Sequence, residues 1–498
     1  MPYLAQYSIR SKQDYIFHTN AMVEMTGASL LIRDSFDILL ACACDKAGLV
    51  VRDAEEKFDL AETLSGFASG SLNMAELFRG GGNSLILFDT EESFIKLNSA
   101  YTYHLASTYP GLVPLCTGIP VGDNGTWNYQ EDYQRLRKHV SDVKSRMTGA
   151  VAIYPTPFSE ILRDTYQPVT RTERIHGKMN YISAETGAKR DAFALSGQAD
   201  TLDIDSMSEK KGTESLLAVV HADGNNMGVR IRGMMSSETS YTECVNRMRK
   251  FVRKTAEVFS EHGKEAVEAE RRALEEATGK SVGIRWLIND GDDATFICNA
   301  RHALRFTKAY LKAVAAEPGY TSCAGICIFH SHYPFYMAYS FAEQCCDNAK
   351  KKVHIKGETR DESWIDFHYQ HSGLDRDLDD LRKVQGTDCI MARPYCVTGG
   401  KLPGIDVFSE ICNSLKQKNA EEKAAVRGNL KTIGNAWEGS RENGKTELHR
   451  LFYRNPALEG KLMSGCESEE ELLKILYDLS EIFDVWYSDD AERSELHS

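Results

Sequence analysis

The chain has 498 residues, of which 42% are hydrophobic and 26% are charged. This composition is typical of a globular protein, and the length predicts about two to four domains. The formal net charge is -13, so the surface as a whole should repel polyanions, which excludes nonspecific binding of nucleic acid. Any nucleotide site must therefore be local.

The cysteines and the lengths of the apolar stretches indicate in which cellular compartment the protein is expected. Thirteen cysteines are spread from Cys42 to Cys466, and the N-terminus lacks the pattern of a secretory signal. The longest apolar stretches, such as residues 216–220, have the length of strands, whereas a membrane-spanning helix needs roughly 20 apolar residues. We expect a reduced, cytoplasmic protein with no membrane partner.

The N-terminal part, residues 1–150, begins with a predicted strand over residues 3–9. Helical residues follow Gly27, and the glycine-rich turn that ends at Asn83 precedes an apolar strand over residues 84–88. Residues 151–210, which include Pro155, Pro157 and Pro168, are predicted to link this part to the next.

A second unit is predicted over residues 211–370. An apolar strand over 215–222 ends at the turn Asp223-Gly224-Asn225-Asn226. Residues 241–277 are predicted to be helical with an interruption at Gly263, and the turn 289–293 joins the strands 283–288 and 294–298 in a β-hairpin. A helix over about 303–316 and a strand over 323–329 complete the order βαββαβ, a ferredoxin-like palm.

The N-terminal part repeats this plan, which indicates internal duplication. The spacing from Ser8 to Asn83 is close to that from Asp223 to Asp293. Downstream, a Pro-Gly turn precedes Cys116 in the first copy as another precedes Cys323 in the second. We predict an α+β fold with two palms, followed by a helical C-terminal domain over 371–498.

The carboxylates of the second copy are the candidate catalytic groups. In a sheet of order 4-1-3-2 the first strand is antiparallel to the third, so Asp223 should lie beside Asp292 and Asp293. Convergent carboxylates are suitable ligands for Mg²⁺ or Mn²⁺, and two such ions serve phosphoryl transfer. Because neighbouring strand residues point to opposite faces, the pattern leaves open which of Asp292 and Asp293 dominates.

The same residues also have explanations that involve no metal. Asp-Gly is a common hairpin turn, and an acidic turn alone does not indicate metal. The combination of Asp223 with the hairpin favours a metal site. Lys350 lies near the end of a predicted helix that begins near Pro334, where it either contacts phosphate or is a solvated cation. The first copy carries Gly82 and Asn83 instead of Asp292 and Asp293, so we predict that it holds no metal.

As a set, these motifs resemble the large palm-domain subunit of type III CRISPR effector complexes, the CRISPR polymerase family, whose relatives include GGDEF diguanylate cyclases. The resemblance covers most of the chain. It depends on the motifs Tyr7-Ser8-Ile9, Gly27-Ala28-Ser29 and 222–228, on the GGDD-like hairpin, and on Ala349-Lys350 and residues 363–368.

The resemblance implies two palms that face each other, with ATP bound between them and cyclic oligoadenylate as the product. It also implies that Ser8 and Ser29 line the nucleotide pocket without binding metal. The candidate metal ligands are Asp223, Gly224, Asp292 and Asp293, and the candidate nucleotide contacts are Gly224, Asn225, Asn226, Gly291, Lys350, Ser8 and Ser29.

The sequence departs from the family pattern in four places. Asp290 stands where the family has glycine, and Asn225 where many relatives have a second aspartate. No His-Asp dipeptide occurs, so we expect a compact version without the family's nuclease domain. Residues 157–171 contain no cysteine, so we expect no zinc.

Three functions compete at this point. The leading hypothesis is a nucleotidyltransferase that joins ATP or other nucleoside triphosphates into cyclic or linear oligonucleotides for antiviral defence. Its partners would be a CRISPR RNA–protein complex or a downstream effector that senses the product. The alternatives are a catalytically altered nucleotide-binding scaffold or sensor and a metal-dependent nuclease. Incubation with ATP and metal, followed by mass analysis, separates the first from the second.

Overall fold

A computed structural model of the chain describes residues 1–19, 21–147, 158–162, 165–175, 177–197, 207, 215–235, 239–355, 358–371, 377–384, 389–400, 403–415 and 420–485. The chain forms two compact units. Unit 1 consists of Met1–Asp200 and Met227–Ala256, and unit 2 consists of Thr201–Asn226 and Glu257–Ser498.

Unit 1 is built around a five-stranded sheet. Its strands are β1 (Tyr3–Ile9), β2 (Val51–Arg52), β3 (Met74–Gly80), β4 (Asn83–Phe88) and β5 (Pro114–Pro120), in the order β2-β3-β4-β1-β5. Its helices up to residue 146 are α1 (Lys12–Phe17), α2 (Met22–Ala41), a π-helical turn (Cys42–Lys46), α3 (Leu60–Ser69), α4 (Glu91–Thr108), a 3₁₀ turn (Asp123–Gly125) and α5 (Tyr129–Arg146). Without the short β2, the order is the 4-1-3-2 arrangement of a palm, so the first palm is confirmed.

The segment after residue 158 adds a β-hairpin and a helix to unit 1. The hairpin consists of β6 (Val169–Ile175) and β7 (Lys178–Ser183), and the helix is α6 (Ala184–Leu195). Helix α6 packs on α2 at Gly27, where a Cβ would lie 1.8 Å from the carbonyl oxygen of Lys189. Glycine therefore permits this close helix contact. Pro155 and Pro157 of the predicted linker lie outside the described residues.

Two helices from the sequence of the second palm also belong to unit 1. They are α7 (Met227–Met234) and α8 (Tyr241–Thr255). Val245 and Met248 of α8 share a buried apolar cluster with Leu77 and Leu87 of the first sheet. The guanidinium of Arg249 donates to the backbone carbonyls of Glu76, at 2.6 Å, and Leu77. The first sheet is thus covered by a segment that follows it by more than a hundred residues.

Unit 2 is built around a six-stranded sheet. Its strands are β8 (Leu216–Gly224), β9 (Ile284–Asp290), β10 (Asp293–Asn299), β11 (Ser322–His330), β14 (Ser363–Tyr369) and β15 (Tyr395–Thr398), in the order β15-β14-β11-β8-β10-β9. A small separate hairpin is formed by β12 (His354–Ile355) and β13 (Glu358–Thr359). The first four strands have the predicted order 4-1-3-2, and β14 and β15 extend the sheet beyond β11.

The palm helices of unit 2 are α9 (Lys264–Thr278), α10 (Ala303–Ala315, after a 3₁₀ turn over Ala300–His302), α11 (Phe335–Val353) and α12 (Leu378–Val384). Residues Ala256–Gly263 are π-helical, so the helix does not stop at Gly263, contrary to the interruption predicted there. A Cβ at Gly263 would lie 2.4 Å from the ring of Tyr310. The glycine instead allows α10 to approach closely.

The C-terminal part of unit 2 is helical, as predicted. Its helices are α13 (Ile405–Ser414), α14 (Ala420–Gly439), α15 (Arg441–Arg454), α16 (Pro456–Leu462) and α17 (Glu469–Ile482). Ser440 and Ser468 cap α15 and α17 by accepting backbone N–H bonds. Asp478 of α17 accepts a hydrogen bond of 2.7 Å from the Tyr395 hydroxyl, which ties these helices to the sheet. The α+β class is confirmed, and the predicted domain boundaries stay a prediction.

The fourth strands of the two palms correct one detail of the predicted repeat. Cys323 lies opposite Asp223 in the second palm, whereas Leu115, not Cys116, lies opposite Ser8 in the first. A shift of one residue places a side chain on the other face of a sheet. Cys116 and Cys323 therefore do not occupy equivalent positions, and the predicted alignment of the two cysteines is wrong by one residue.

A helix that crosses a membrane must be both long and apolar. Among the residues that the structure describes, none of the helices combines the length and the apolar character that such a span requires.

Candidate active site

Strand β8 and the β9–β10 hairpin bring the candidate carboxylates together. Asp290 pairs with Asp293 across the turn, so Gly291 and Asp292 form its two-residue tip. Gly291 has a φ of 63°, a conformation that glycine adopts without strain. In the ladder between β10 and β8, Asp293 is directly opposite Asp223. The two side chains therefore lie on the same face of the sheet.

Asp292 is also within electrostatic reach of Asp223. Burial raises the pKa of Asp292 to about 6, and the negative charge of Asp223 adds to the rise. The backbone N–H of Gly224 donates to the carbonyl oxygen of Asp292 at 3.2 Å, so the strand end is bound to the turn. The hairpin thus places one aspartate opposite Asp223 and a second one in the turn beside it. Which of the two dominates metal binding stays open.

Lys350, from the last turns of α11, pairs with the Asp223 carboxylate. Burial by itself would lower the pKa of the Lys350 ammonium, but the charge of Asp223 outweighs it, so this pKa is raised. The side chains of Lys350 and Asp223 are 22% and 29% exposed, which leaves both groups accessible to a ligand. The structure therefore places a cation on one of the predicted metal ligands.

The turn after β8 is held by hydrogen bonds to its own unit. Asn225 is buried, and its Nδ2 donates to Thr321 Oγ1 at 3.1 Å and to the Glu362 carbonyl at 2.9 Å. Asn226 has a φ of 64°, which asparagine tolerates better than most residues. Within the described part of the chain, the Oδ1 atoms of Asn225 and Asn226 are buried and lack a hydrogen-bond partner. Such orphaned oxygens indicate a missing ligand or strain.

The hairpin tip is likewise anchored. The Ser260 hydroxyl donates to the carbonyl of Gly291 at 3.3 Å, and Asn289 Nδ2 donates to the Ser260 carbonyl at 2.9 Å. These bonds fix the position of the turn that carries Asp292. Nucleotide contacts by Gly224, Gly291 and the two asparagines stay predictions.

The corresponding hairpin of the first palm has a different chemistry. Ser8 is opposite Asn83, as Asp223 is opposite Asp293. The Lys12 ammonium donates to the carbonyls of Gly82, at 2.7 Å, and Gly81, at 3.2 Å. Ser8 Oγ donates to the Leu115 carbonyl at 3.4 Å, and Ser29 is a half-buried residue of α2. The roles of Ser8 and Ser29 in a nucleotide pocket stay predictions.

Sequence reasoning missed His221, two residues before Asp223. His221 is opposite Thr295 in the ladder, and its Nδ1 lies 3.1 Å from Thr295 Oγ1. Burial lowers its pKa to about 4, although the charge of Asp223 partly opposes this effect. The imidazole is therefore neutral at pH 7 and contributes no charge beside Asp223. A lone histidine in an apolar strand carries no sequence signal for this position.

Comparison with known proteins identifies this palm. Residues 216–360 match the family model of the second palm domain of Cas10/Cmr2. Residues 216–360 therefore form a Cas10-like palm. The resemblance of the sequence motifs to the palm subunit of type III CRISPR complexes is therefore confirmed.

Solved structures with this fold include chains of Csm1–Csm4 assemblies. The Csm1–Csm4 cassette in complex with cA4 matches with a TM-score of 0.58 and 13% identity, over 97% of this chain and 69% of the other. The cassette in complex with pppApA matches with a TM-score of 0.54 and 12% identity, over 95% and 69%. The Csm1–Csm4 subcomplex of the type III-A CRISPR-Csm interference complex matches with a TM-score of 0.51 and 11% identity, over 97% of this chain and 70% of the other. No curated protein sequence matches the chain.

The donor set of this Cas10-like palm can be compared with what Mg²⁺ or Mn²⁺ requires. These ions prefer oxygen ligands, and Asp223, Asp292 and Asp293 supply carboxylates. In the described residues, however, no group of three or more His, Cys, Asp or Glu side chains is arranged to hold a metal. The ligand types fit these ions, and Lys350 pairs with one oxygen, Oδ2, of the Asp223 carboxylate.

Proposed function

We propose that the second palm is a metal-dependent nucleotidyltransferase that joins ATP into cyclic or linear oligonucleotides. The observation that carries the proposal is the placement of Asp293 directly opposite Asp223, with Asp292 in the adjoining turn. Support comes from the Csm1–Csm4 cassettes of the same fold, which were solved with cA4, with pppApA and with one ATP.

The three aspartates and the Gly224 carbonyl are the proposed ligands of two Mg²⁺ or Mn²⁺ ions. Such ions would neutralise charge that develops on the triphosphate and on the attacking oxygen. The chain itself supplies preorganisation, because the Gly224–Asp292 backbone bond fixes the strand end against the turn. Burial of Asp292, which raises its pKa to about 6, also makes a positive ligand favourable at this position.

Lys350 has a distinct proposed role. With a metal on Asp223, the ammonium would lose its carboxylate partner, and a triphosphate is the anion that could replace it. Its position at the end of α11, over the same sheet, keeps it within reach of the site. Lys350 would thus hold the nucleotide at its phosphates. We further propose that the chain acts with a CRISPR RNA–protein complex in antiviral defence.

The competing proposal is a nucleotide-binding scaffold without catalysis. It is favoured by the Lys350–Asp223 pair, which neutralises one of the proposed ligands. Asp290, at the position where the family has glycine, is opposite Asp293 in the hairpin and adds negative charge near Asp292. Both features would weaken turnover without preventing nucleotide binding.

Product analysis separates the two proposals. The protein is incubated with ATP and either Mg²⁺ or Mn²⁺, with EDTA as the blank, and products are identified by mass. We expect oligoadenylate from the natural sequence and a loss on the order of 10²-fold or more in the Asp292→Asn/Asp293→Asn variant, because two metal contacts are removed. Lys351→Ala is the matched control, since Lys351 is an exposed cation that pairs with Asp379.

Product analysis has three outcomes that distinguish the proposed functions. Equal product from the natural and doubly substituted proteins would refute the assignment of the palm site. ATP binding without any product would favour the scaffold. Cleavage of nucleic acid without nucleoside triphosphate would favour a nuclease.

A further inference from the structure

The helix that carries Lys350 is fastened to the sheet by a half-buried polar side chain two residues earlier. Asn348 Nδ2 donates to Asp366 Oδ2 at 2.7 Å. Asp366 lies on β14 and is 0% exposed. This aspartate belongs to the 363–368 motif, for which the proposed chemistry has no use. Its position therefore needs a separate explanation.

Asp366 is itself held by a buried arginine. Arg382 of α12 donates to both carboxylate oxygens, at 2.8 and 3.1 Å, and to the Phe367 carbonyl at 3.0 Å. Burial by itself would raise the pKa of Asp366, but the charge of Arg382 outweighs it, so this pKa lies below its usual value. A bidentate pair of this kind fixes the orientation of the carboxylate. Asp366 Oδ1 also accepts from the backbone N–H of Phe367 at 2.8 Å, and Oδ2 accepts from Asn348.

The geometry of the helix connects this anchor to the active site. An α-helix turns by about 100° per residue, so residues 348 and 350 project from nearly opposite sides of α11. In the sheet, β11 lies between β14 and β8. Asn348 contacts Asp366 on β14, and Lys350 contacts Asp223 on β8. The anchor and the cation thus lie on opposite sides of the same helix.

Two further contacts hold α11 against the middle strand. A Cβ at Gly325 of β11 would lie 1.9 Å from the Ala342 carbonyl oxygen, so glycine allows helix and strand to touch. Cys346 Sγ donates to the Cys323 carbonyl at 3.3 Å. These contacts fix the distance of the helix from the sheet. Near Lys350, the exposed Lys351 pairs with Asp379 at the surface, whereas Asn348 reaches the buried Asp366 of the sheet and so can orient the last turns of α11.

We propose that Asp366, with Arg382, is a positioning residue that acts through Asn348 to set the place of the Lys350 ammonium. The inference rests on the proposed function, in which Lys350 binds the triphosphate. Asp366 touches neither nucleotide nor metal in this scheme. Its effect on activity passes through the end of α11.

A double-mutant cycle on Asn348 and Lys350 tests the inference. Asn348→Ala removes the link to α11 but keeps the buried Asp366–Arg382 pair, so the protein should fold. The KM for ATP, in the presence of Mg²⁺, and kcat are measured for the single variants Asn348→Ala and Lys350→Met and for the double variant. We expect Asn348→Ala to raise the KM of the natural protein about 10-fold. In the Lys350→Met background, the same substitution should raise the KM less than about twofold, because the effects of coupled residues are non-additive.

A control and a second readout separate positioning from loss of stability. Lys351→Ala, on the same helical turn, should leave the KM unchanged. Thermal midpoints of all variants are recorded, because a merely structural role would lower the midpoint and would affect the Lys350→Met background equally. Asn348→Gln, which keeps the donor, should recover part of the KM.

The outcomes distinguish failure of the positioning role from failure of the proposed function. Additive effects of the two substitutions, or an unchanged KM in Asn348→Ala, overturn the positioning role while the proposed function survives. If the natural protein neither binds nor joins ATP, the proposed function fails, and the positioning role fails with it.

Discussion

Asp292 offers a prediction whose sign can be worked out. Its pKa is raised from 3.8 to about 6, first by burial and second by the charge of Asp223. Because the folded protein holds this proton more tightly than the unfolded chain, ionisation of Asp292 destabilises the fold. At about 1.36 kcal/mol per tenfold change in proton affinity, the full cost is about 3 kcal/mol.

The perturbation is Asp292→Asn, which resembles the neutral acid in size. In EDTA at pH 8, where the natural Asp292 is ionised, we expect the variant to be more stable by about 1–3 kcal/mol. As the pH falls through 6, the natural protein takes up the proton and the difference shrinks, to about 1 kcal/mol near pH 4.5. The same substitution should remove a metal ligand, so the gain should reverse when Mn²⁺ is present.

The assay is urea unfolding at several pH values with EDTA or Mn²⁺. Asp361→Asn, which removes an exposed carboxylate of unit 2, is the control and should show no comparable gain. A variant that is less stable than the natural protein at pH 8 in EDTA would refute the reasoning. So would a gain that does not change with pH, since only titration of Asp292 predicts the change.

Two further predictions concern the same palm. Mn²⁺ with ATP should raise the thermal midpoint of the natural protein in proportion to RT ln(1 + [L]/Kd), whereas Asp223→Asn should lose most of this shift; a variant that keeps the whole shift shows that Asp223 is not a ligand. Gly325→Ala should destabilise unit 2 by several kcal/mol, about 3 or more, because its Cβ would lie 1.9 Å from the Ala342 carbonyl oxygen; calorimetry should show a lower midpoint, and an unchanged one would contradict the close contact.

The fold could be predicted because local signals and global order agree. A continuous apolar run indicated β8, and the Asp-Gly turn indicated the hairpin of β9 and β10. From the strand order alone, Asp223 had to lie near the hairpin, and the ladder places it opposite Asp293. Features that follow from the period of a strand and the chemistry of a turn are accessible without a structure.

Other features depend on packing between distant segments. Helix α8 lies within the sequence of the second palm, and the contact of Arg249 with the carbonyls of β3, which places the helix in unit 1, has no signal in the sequence. Lys350 was recognised as a candidate phosphate contact, yet its pairing with Asp223 requires α11 to lie over β8. The Asn348–Asp366 bond likewise joins a helix to a strand across a loop. No local pattern records such contacts.

The two palms differ in what a divalent cation would meet in place of a bound lysine. Lys12 donates to the carbonyls of Gly81 and Gly82 in the first palm. Lys350 pairs with the Asp223 carboxylate in the second palm. The carbonyls carry no net charge. A divalent cation in place of Lys12 would therefore interact only with carbonyl dipoles and would lose part of its hydration shell. A cation in place of Lys350 would gain a carboxylate and would lie near Asp292, whose pKa is raised first by burial and second by the charge of Asp223. We therefore expect a metal to replace a bound lysine in the second palm and not in the first.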